Sequence, residues 1–401
     1  MKAVILAAGQ GTRMHPLTAT RPKPMIPVAG RPLLEHVLDI CVPHVEGFVL
    51  VVGYEAGAVR EHVGETYASL PVEYVSQDEQ LGTAHAIALG GRQIDETFLA
   101  LNGDVLVPEA LVEALVEAGD VAVAVTPVAD PTSYGVVQPD GDLLDTIVEK
   151  PENPPSDLAN MGTYVITPEL CAHIEAVEMS ERGEYEVTDG IQSFVEDGGR
   201  VHLVENDGHW LDVGRPWELL DANELLLAEI DHRIDGDIEE GATLKGNVVV
   251  ESGARIRAGA YLEGPVLVRS GADVGPNAYV RGATVIGPEV RVGNAVEIKN
   301  SILMADTNVG HLSYVGDSVL GREVNFGAGT TVGNLRHDGA NVRMCVKGDP
   351  VETGRRKLGV VAGDGVKTGI DTSLNAGVKL GSGETTMPGE TLLRDRTERR
   401  D

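Results

Sequence analysis

The chain has 401 residues, 42% of them hydrophobic, which is enough for two domains and a sizeable core. Against 32 Lys and Arg it carries 62 Asp and Glu, a formal net charge of −30 spread along the whole length. Such a chain repels a nucleic-acid backbone and implies an acidic, solvated surface, that of an ordinary acidic enzyme or of one adapted to a salt-rich cytoplasm where charges are screened. No apolar run is long enough to span a bilayer and the first residues read as strand rather than signal peptide, so no membrane partner and a cytoplasmic location are expected.

The first strand, "KAVILAA", empties into "GQGTRMHPLTATRPKPM". A strand running into a Gly-rich loop offers backbone N–H groups to a phosphate. The loop Gly9-Gln10-Gly11-Thr12-Arg13-Met14 lacks the third glycine of a dinucleotide fingerprint and the Gly-Lys-Ser/Thr ending of a P-loop. It carries Arg13, and Lys23 follows between Pro22 and Pro24, whose fixed φ angles help to aim it. An anionic substrate of so acidic a protein needs such local cations.

Further strands are predicted at "FVLVVG", "VEYVSQ", "FLALNGD" and "VAVAVTPV", alternating with helices at "PLLEHVLDICV", "GTAHAIALGGRQI" and "PEALVEALVEAG". Cys41 falls on the apolar face of the first of these helices, a buried thiol in a reducing compartment. The alternation predicts a mostly parallel, Rossmann-like sheet with helices on both faces over residues 1–222, with ligands at the carboxyl ends of its strands. "RPWELLDANELLLAEIDHRI" reads as a helix that links the halves, the linker proper being 223–234.

From 235 the period changes. Ile238, Leu244, Val250, Ile256, Leu262, Val268, Val274, Val280, Ile286, Val292 and Ile298 recur every six residues. Neither 3.6 nor 2.0 generates that register; a parallel β-helix of hexapeptide repeats does, each short strand pointing one aliphatic residue inward. The frame slips by one residue at Leu303, Val309 and Val315, and returns at Leu374 and Leu380. Between lies "NLRHDGANVRMCVKGDPVETGRRKLG", too long and charged for a coil and therefore read as a loop thrown out of the helix. The β-helix is assigned to 235–393 and a frayed tail to 394–401.

"LAAGQGTRM" followed by "RPKPM" resembles the signature of sugar-1-phosphate nucleotidylyltransferases, and the second half resembles a left-handed β-helix. Together they are similar to the bifunctional N-acetylglucosamine-1-phosphate uridylyltransferase/glucosamine-1-phosphate acetyltransferase family, in its archaeal form. The resemblance implies attack of a sugar phosphate on a nucleoside triphosphate with loss of pyrophosphate, chemistry that needs cations, donors and a metal around one phosphorus. It places Gly9, Gly11 and Thr12 around the triphosphate, Arg13 on the departing phosphates and Lys23 on the reacting ones. Asp104 of "LNGDV" and Asp212 of "HWLDVG" become ligands of Mg²⁺, which takes few protein oxygens and several from water and substrate. Gln77, the Gly82 backbone and Thr83 read the pyrimidine, Thr83 also being a candidate helix N-cap. Gly135, Glu149 and Asn160 take the sugar, with Lys150 supporting the phosphate.

In the second half the resemblance makes His311 the general base that strips the attacking amine, a task suited to an imidazole. Arg281 and Lys299 then hold the sugar phosphate, Tyr314 and Asn325 orient the amino sugar, and Asn334 lies near the acetyl group of acetyl-CoA. Arg355, Arg356 and Lys357 of "TGRRKLG" would receive coenzyme A phosphates. The sequence departs from the family at Leu335, Val342 and Ile370, where an aromatic residue, a lysine and a serine are usual. The family assembles as a homotrimer. Expected partners are therefore UTP, an amino-sugar-1-phosphate and acetyl-CoA. Asp212 is shared with glucose-1-phosphate thymidylyltransferases, which leaves dTTP, glucose phosphate and galactosamine phosphate open. It also leaves open a thymidylyl- or uridylyltransferase whose β-helix is only structural. A regulatory subunit of this architecture, as in the translation-factor exchange complex, is argued against by the intact loop, Lys23 and Asp104.

Overall fold

The computed structural model describes residues 1–397. They pack as two compact units, one of residues 1–10, 22–25 and 33–212, the other of 11–21, 26–32 and 213 onward. The first is built on a ten-stranded sheet. Its order is Gly135–Asp140, Leu143–Glu149, His202–Glu205, Ala122–Pro127, Leu158–Ile166, Phe98–Asn102, Ala3–Ala7, Phe48–Val52, Leu70–Ser76, Thr66–Tyr67. Alternation along each strand splits the core. Val4, Val49 and Val51 pack with the helices at Thr83–Gly91, Pro168–Glu175 and Val187–Glu196. Ala3, Ile5, Leu50 and Val52 face those at Leu33–Cys41, Ala56–Val63 and Glu109–Glu117. With both faces covered, the central strands are apolar throughout.

The sheet is mixed, which corrects the mostly parallel expectation. Ala3–Ala7 pairs in parallel with Phe48–Val52 and Phe98–Asn102. Leu158–Ile166 runs antiparallel between Phe98–Asn102 and Ala122–Pro127, and Gly135–Asp140 forms a hairpin with Leu143–Glu149. Only Gly141 and Asp142 separate those two strands, and a connection that short cannot make the crossover that parallel strands need.

In the second unit, strands of two to four residues stack into two eight-stranded sheets and one six-stranded sheet, every pairing between coils being parallel. This is a three-sided parallel β-helix. Val248 pairs with Val266 and Val266 with Thr284, a step of 18 residues or three hexads. Val285 pairs with Ile302, a step of 17, so the slip in the sequence frame is a coil shortened by one residue. From Val250 to Ile298 every sixth residue is fully buried. The first two of the series, Ile238 at 37% exposure and the half-buried Leu244, stand where the stack begins.

Three boundaries differ from the sequence reading. The linking helix is Glu218–Leu227, and Arg233–Ile234 already pairs as strand with Val249–Val250. Leu227 and Ile230 turn onto Val249, Leu267 and Val285, and burying them ends the helix. The charged insertion leaves the coil, since Val319 pairs directly with Val361. It folds back as a hairpin of Arg343–Val346 with Asp349–Glu352. Lys347 and Gly348 at its tip both have positive φ, which suits the two-residue turn that follows strand twist. Residues 394–397 belong to the last coil, where Arg396 donates its backbone N–H to Lys379 and its guanidinium pairs with Glu390. The rest of the predicted tail, 398–401, lies outside the described residues.

Candidate active sites

In the first unit, Val105–Leu106 pairs antiparallel with Leu211–Asp212, placing Asp212 opposite Val105. Two segments more than a hundred residues apart thereby bring their carboxylates to one lysine. Lys23 Nζ is 2.5 Å from Asp104 and 3.9 Å from Asp212. Lys23 opens a single 3₁₀ turn, Lys23–Met25, and is only 7% exposed. Asp104 is part-buried and Asp212 exposed. Two acid oxygens from separate segments, with room for water and substrate oxygens, fit the few-ligand binding of Mg²⁺.

The loop at Gly9 opens toward solvent, with space around the position a Cβ would take. Gly11 has a φ of 64°, which glycine adopts without strain, and its carbonyl accepts a 2.8 Å hydrogen bond from Thr18. Thr12 and Arg13 follow, both exposed. In the second unit, the Arg13 guanidinium lies beside Gly214 of "HWLDVG".

Gln77 is buried. Its Nε2 lies 3.2 Å from the Gly82 carbonyl and 3.1 Å from His85 Nδ1, which leaves its amide oxygen for a ligand. Gly82 is required where it stands: its φ is 105°, and a Cβ there would meet the Tyr185 backbone oxygen at 2.5 Å. Gly82 rather than Thr83 is the N-cap of the helix Thr83–Gly91. The Thr83 hydroxyl is instead 3.4 Å from the Val187 N–H, which donates to it, so tertiary packing overrides the local capping preference.

Gly135, Glu149 and Asn160 are brought together. Gly135 and Glu149 are cross-strand partners, and a Cβ on Gly135 would sit 3.1 Å from the Glu149 carboxylate and 3.5 Å from Asn160. Asn160 donates to the Tyr164 hydroxyl at 2.7 Å. Glu149 takes Arg182 at 3.1 Å, and Arg182 also pairs with the buried Glu186 at 3.2 Å. Burial, then the Glu149 charge, push both Glu186 and Asp189 above the ordinary carboxylate range. Lys150 lies 3.3 Å from Glu149. Arg182 and Glu186 were not singled out from the sequence. "SERGEYE" reads as solvated charge, and only their convergence on Glu149 marks them.

In the second unit, residues flanking each inward aliphatic side chain point outward. Val280, Ile298 and Val315 are buried, so their neighbours Arg281, Lys299 and Tyr314 share the outer face of one sheet. Arg281 and Lys299 are register partners, and Lys299 in turn pairs with Gly316. Arg281 holds Glu297 at 2.7 Å and Lys299 holds Asp317 at 2.8 Å. Asn334 donates to the Tyr314 hydroxyl at 3.0 Å and to Asp317 at 2.6 Å. A Cβ on Gly316 would lie 2.4 Å from Tyr314 Oη and 2.7 Å from Asn334 Nδ2, so only glycine leaves room for that contact. Burial, then the Asp317 charge, push the Tyr314 phenol up. His311 is exposed at the end of Asn308–His311 in the neighbouring sheet. Asn325 is also exposed and accepts from Asn308 at 2.8 Å.

Arg355, expected to receive a coenzyme A phosphate, is half-buried. Its guanidinium pairs with Asp221 and Glu224 of the helix Glu218–Leu227. Arg356 and Lys357 remain exposed. Asp317, one of the most buried acids in the unit, was not predicted, because in a chain with 62 acidic residues another Asp after a glycine reads as a solvated turn.

The first unit is thus an α/β domain presenting a lysine and two carboxylates at strand ends, and the second a parallel β-helix with a polar cluster on one outer face. The family described as Nucleotidyl transferase matches residues 2–229, and the GMPPB C-terminal domain matches residues 262–376. A "Bifunctional protein GlmU" of Methanococcus maripaludis strain C7 is 46% identical over 385 residues, 95% of this chain and 92% of that one. A "Bifunctional sugar-1-phosphate nucleotidylyltransferase/acetyltransferase" of Sulfurisphaera tokodaii is 37% identical over 98% of each chain. Among solved structures, a UDP-glucose pyrophosphorylase complexed with UDP-glucose matches with a TM-score of 0.53. At 23% identity it covers 57% of this chain and 98% of its own, and it shows the fold of the first unit. The chain belongs to the bifunctional sugar-1-phosphate nucleotidylyltransferase/acetyltransferase family.

Proposed function

We propose that the protein is a two-step enzyme of UDP-N-acetylglucosamine synthesis. It acetylates glucosamine-1-phosphate with acetyl-CoA, then joins the product to UTP and releases pyrophosphate. The reading is carried by the meeting of Lys23, Asp104 and Asp212 on a chain whose β-helix builds a second polar cluster around Tyr314.

For nucleotidyl transfer, Asp104 and Asp212 would hold Mg²⁺, which neutralises triphosphate charge when bound. Lys23 holds the reacting phosphates, and Arg13, with the backbone of Gly9, Gly11 and Thr12, takes the departing ones. The Gln77 amide oxygen, Gly82 and Thr83 read the base, since a wrong base leaves buried polar groups unpaired. Gly135, Glu149 and Asn160 receive the sugar, with Lys150 near its phosphate.

For acetyl transfer, His311 removes a proton from the attacking amine. Arg281 and Lys299 hold the sugar phosphate while Tyr314 and Asn325 orient the ring. Asn334 faces the acetyl group, and Arg356 and Lys357 meet coenzyme A phosphates. We take the β-helix as left-handed and the assembly as a cytoplasmic homotrimer, with nucleotide transfer in residues 1–222 and acetyl transfer in 235–393.

A panel of glucosamine-, galactosamine- and glucose-1-phosphates with UTP and dTTP, read by pyrophosphate and by free thiol release, tests the proposal. Both signals are expected with glucosamine-1-phosphate, acetyl-CoA and UTP. Pyrophosphate without thiol would leave a thymidylyl- or uridylyltransferase with a structural β-helix. The exposed Leu335 and Ile370, at positions where the resemblance expects an aromatic residue and a serine, make that outcome worth testing directly.

A further inference from the structure

The polar cluster of the second unit is organised around a residue that the reading above leaves without a role. Asp317 is 2% exposed, and its carboxylate accepts four hydrogen bonds. Oδ1 takes Lys299 Nζ at 3.0 Å and Asn300 Nδ2 at 3.0 Å. Oδ2 takes Lys299 Nζ at 2.8 Å and Asn334 Nδ2 at 2.6 Å. A carboxylate offers about four lone-pair sites, so Asp317 has nothing left for a ligand and cannot itself act as a base. The backbone holds it too: its N–H donates to Lys299 O at 2.8 Å, and its carbonyl accepts from Gly359 at 2.7 Å.

The consequence falls on its partners. Asn334 gives one amide hydrogen to Asp317 and the other to Tyr314 Oη, so its carbonyl oxygen is the end left to face a ligand. Lys299 directs its ammonium at both carboxylate oxygens, and an ammonium has three donors. Its head is thereby confined to one place with the remaining donor pointing away from Asp317. An acceptor-only group at position 317 therefore decides which end of Asn334 is presented and where the Lys299 charge sits.

We propose that Asp317 is a positioning residue of the acetyl-transfer site, acting through Lys299 on the sugar phosphate and through Asn334 on the side of the acetyl group. The proposal rests on the acetyl-transfer reading. Asp317→Asn keeps the size but introduces donors facing Lys299 and Asn334; Asp317→Glu keeps the charge but alters its reach. Both should raise KM for glucosamine-1-phosphate in acetyl transfer, with kcat/KM falling about 10- to 100-fold, the scale expected when binding groups are misplaced by around an ångström. Adding Lys299→Met to Asp317→Asn should cost much less than the product of the two single effects, because both act through one contact. Uridylyl transfer to supplied N-acetylglucosamine-1-phosphate serves as the check on folding and should stay at the wild-type rate.

A residue that only stabilises the coil would lower the amount of active enzyme, and hence kcat, while leaving KM unchanged. That result, or a wild-type KM in either soluble variant, overturns the proposal and leaves the acetyl-transfer reading standing. If Asp317→Asn does not fold, Asp317→Glu decides alone. A wild-type protein that releases no thiol with glucosamine-1-phosphate and acetyl-CoA overturns the acetyl-transfer reading, and this proposal with it.

Discussion

In the first unit the lysine is the buried member of the ion pair: the side chain of Lys23 is 8% exposed against 24% for Asp104 and 39% for Asp212. In the second unit the order is reversed, with the side chain of Asp317 at 3% and that of Lys299 at 16%. The same two residue types thus present opposite chemistry. Around Lys23 the groups that reach solvent are acid oxygens, which suit a divalent cation. Around Asp317 they are amine and amide groups, which suit a phosphate and a polar sugar. A Lys–Asp pair taken from a sequence says nothing about which member meets the ligand. Burial decides it, because the inner charge is tolerated only when its partners are fixed around it.

The most severe test of the comparison is to remove an outward-facing acid. Asp104→Ala should abolish Mg²⁺-dependent pyrophosphate release while thiol release from acetyl-CoA continues at close to the wild-type rate. Equal loss of both activities would show that the two clusters do not serve separate reactions. His311→Ala is the counterpart in the second unit, with acetyl transfer expected to drop by roughly 10²- to 10⁴-fold, the range for a positioned general base. Uridylyl transfer to supplied N-acetylglucosamine-1-phosphate should be preserved, and a fully active variant would leave the β-helix as scaffold. Lys23→Ala asks whether the buried cation also touches substrate. Loss of one transition-state donor costs roughly 10²- to 10³-fold, so a much smaller fall in pyrophosphate release would make Lys23 a brace for the acids alone.

Two smaller effects probe the surface and the charge cluster around Glu149. With a net charge of −30, self-repulsion should weaken as the Debye length shrinks to ~3 Å in 1 M salt. The melting temperature should climb from dilute buffer to molar KCl, whereas a flat profile would mark an ordinary acidic enzyme. The smallest effect concerns Glu186, whose carboxyl is pushed up by burial first and then by Glu149. A carboxyl with a raised folded-state pKa favours the fold in acid and loses that contribution as pH rises through the raised value. Glu186→Gln should therefore gain stability relative to wild type between pH 4 and 8, by less than about 1 kcal/mol given solvent screening. Denaturant unfolding at the two pH values measures it, and a constant difference would refute the assignment.

What the sequence determined by itself was whatever repeats or stays local. The hexad from Val250 to Ile298 specifies an inward stack because each coil repeats the same burial. The strand-to-loop passage at Ala7 to Met14 is likewise visible in a few consecutive residues. Candidate residues such as Lys23, Asp104, Asp212, Lys299 and Asn334 could be named one at a time from motifs. Their partners could not. The mixed sheet arises because Leu158–Ile166 inserts antiparallel between two strands, a pairing set by contacts distant in sequence and not by local propensity. Arg355 is drawn to Asp221 and Glu224 across more than 130 residues. Asp317 gains its four hydrogen bonds only when successive coils stack and the insertion returns the chain at Gly359. Ionic and polar partners in this chain are chosen by tertiary packing because charge has no period of its own, whereas an aliphatic residue repeated every six positions carries its destination with it.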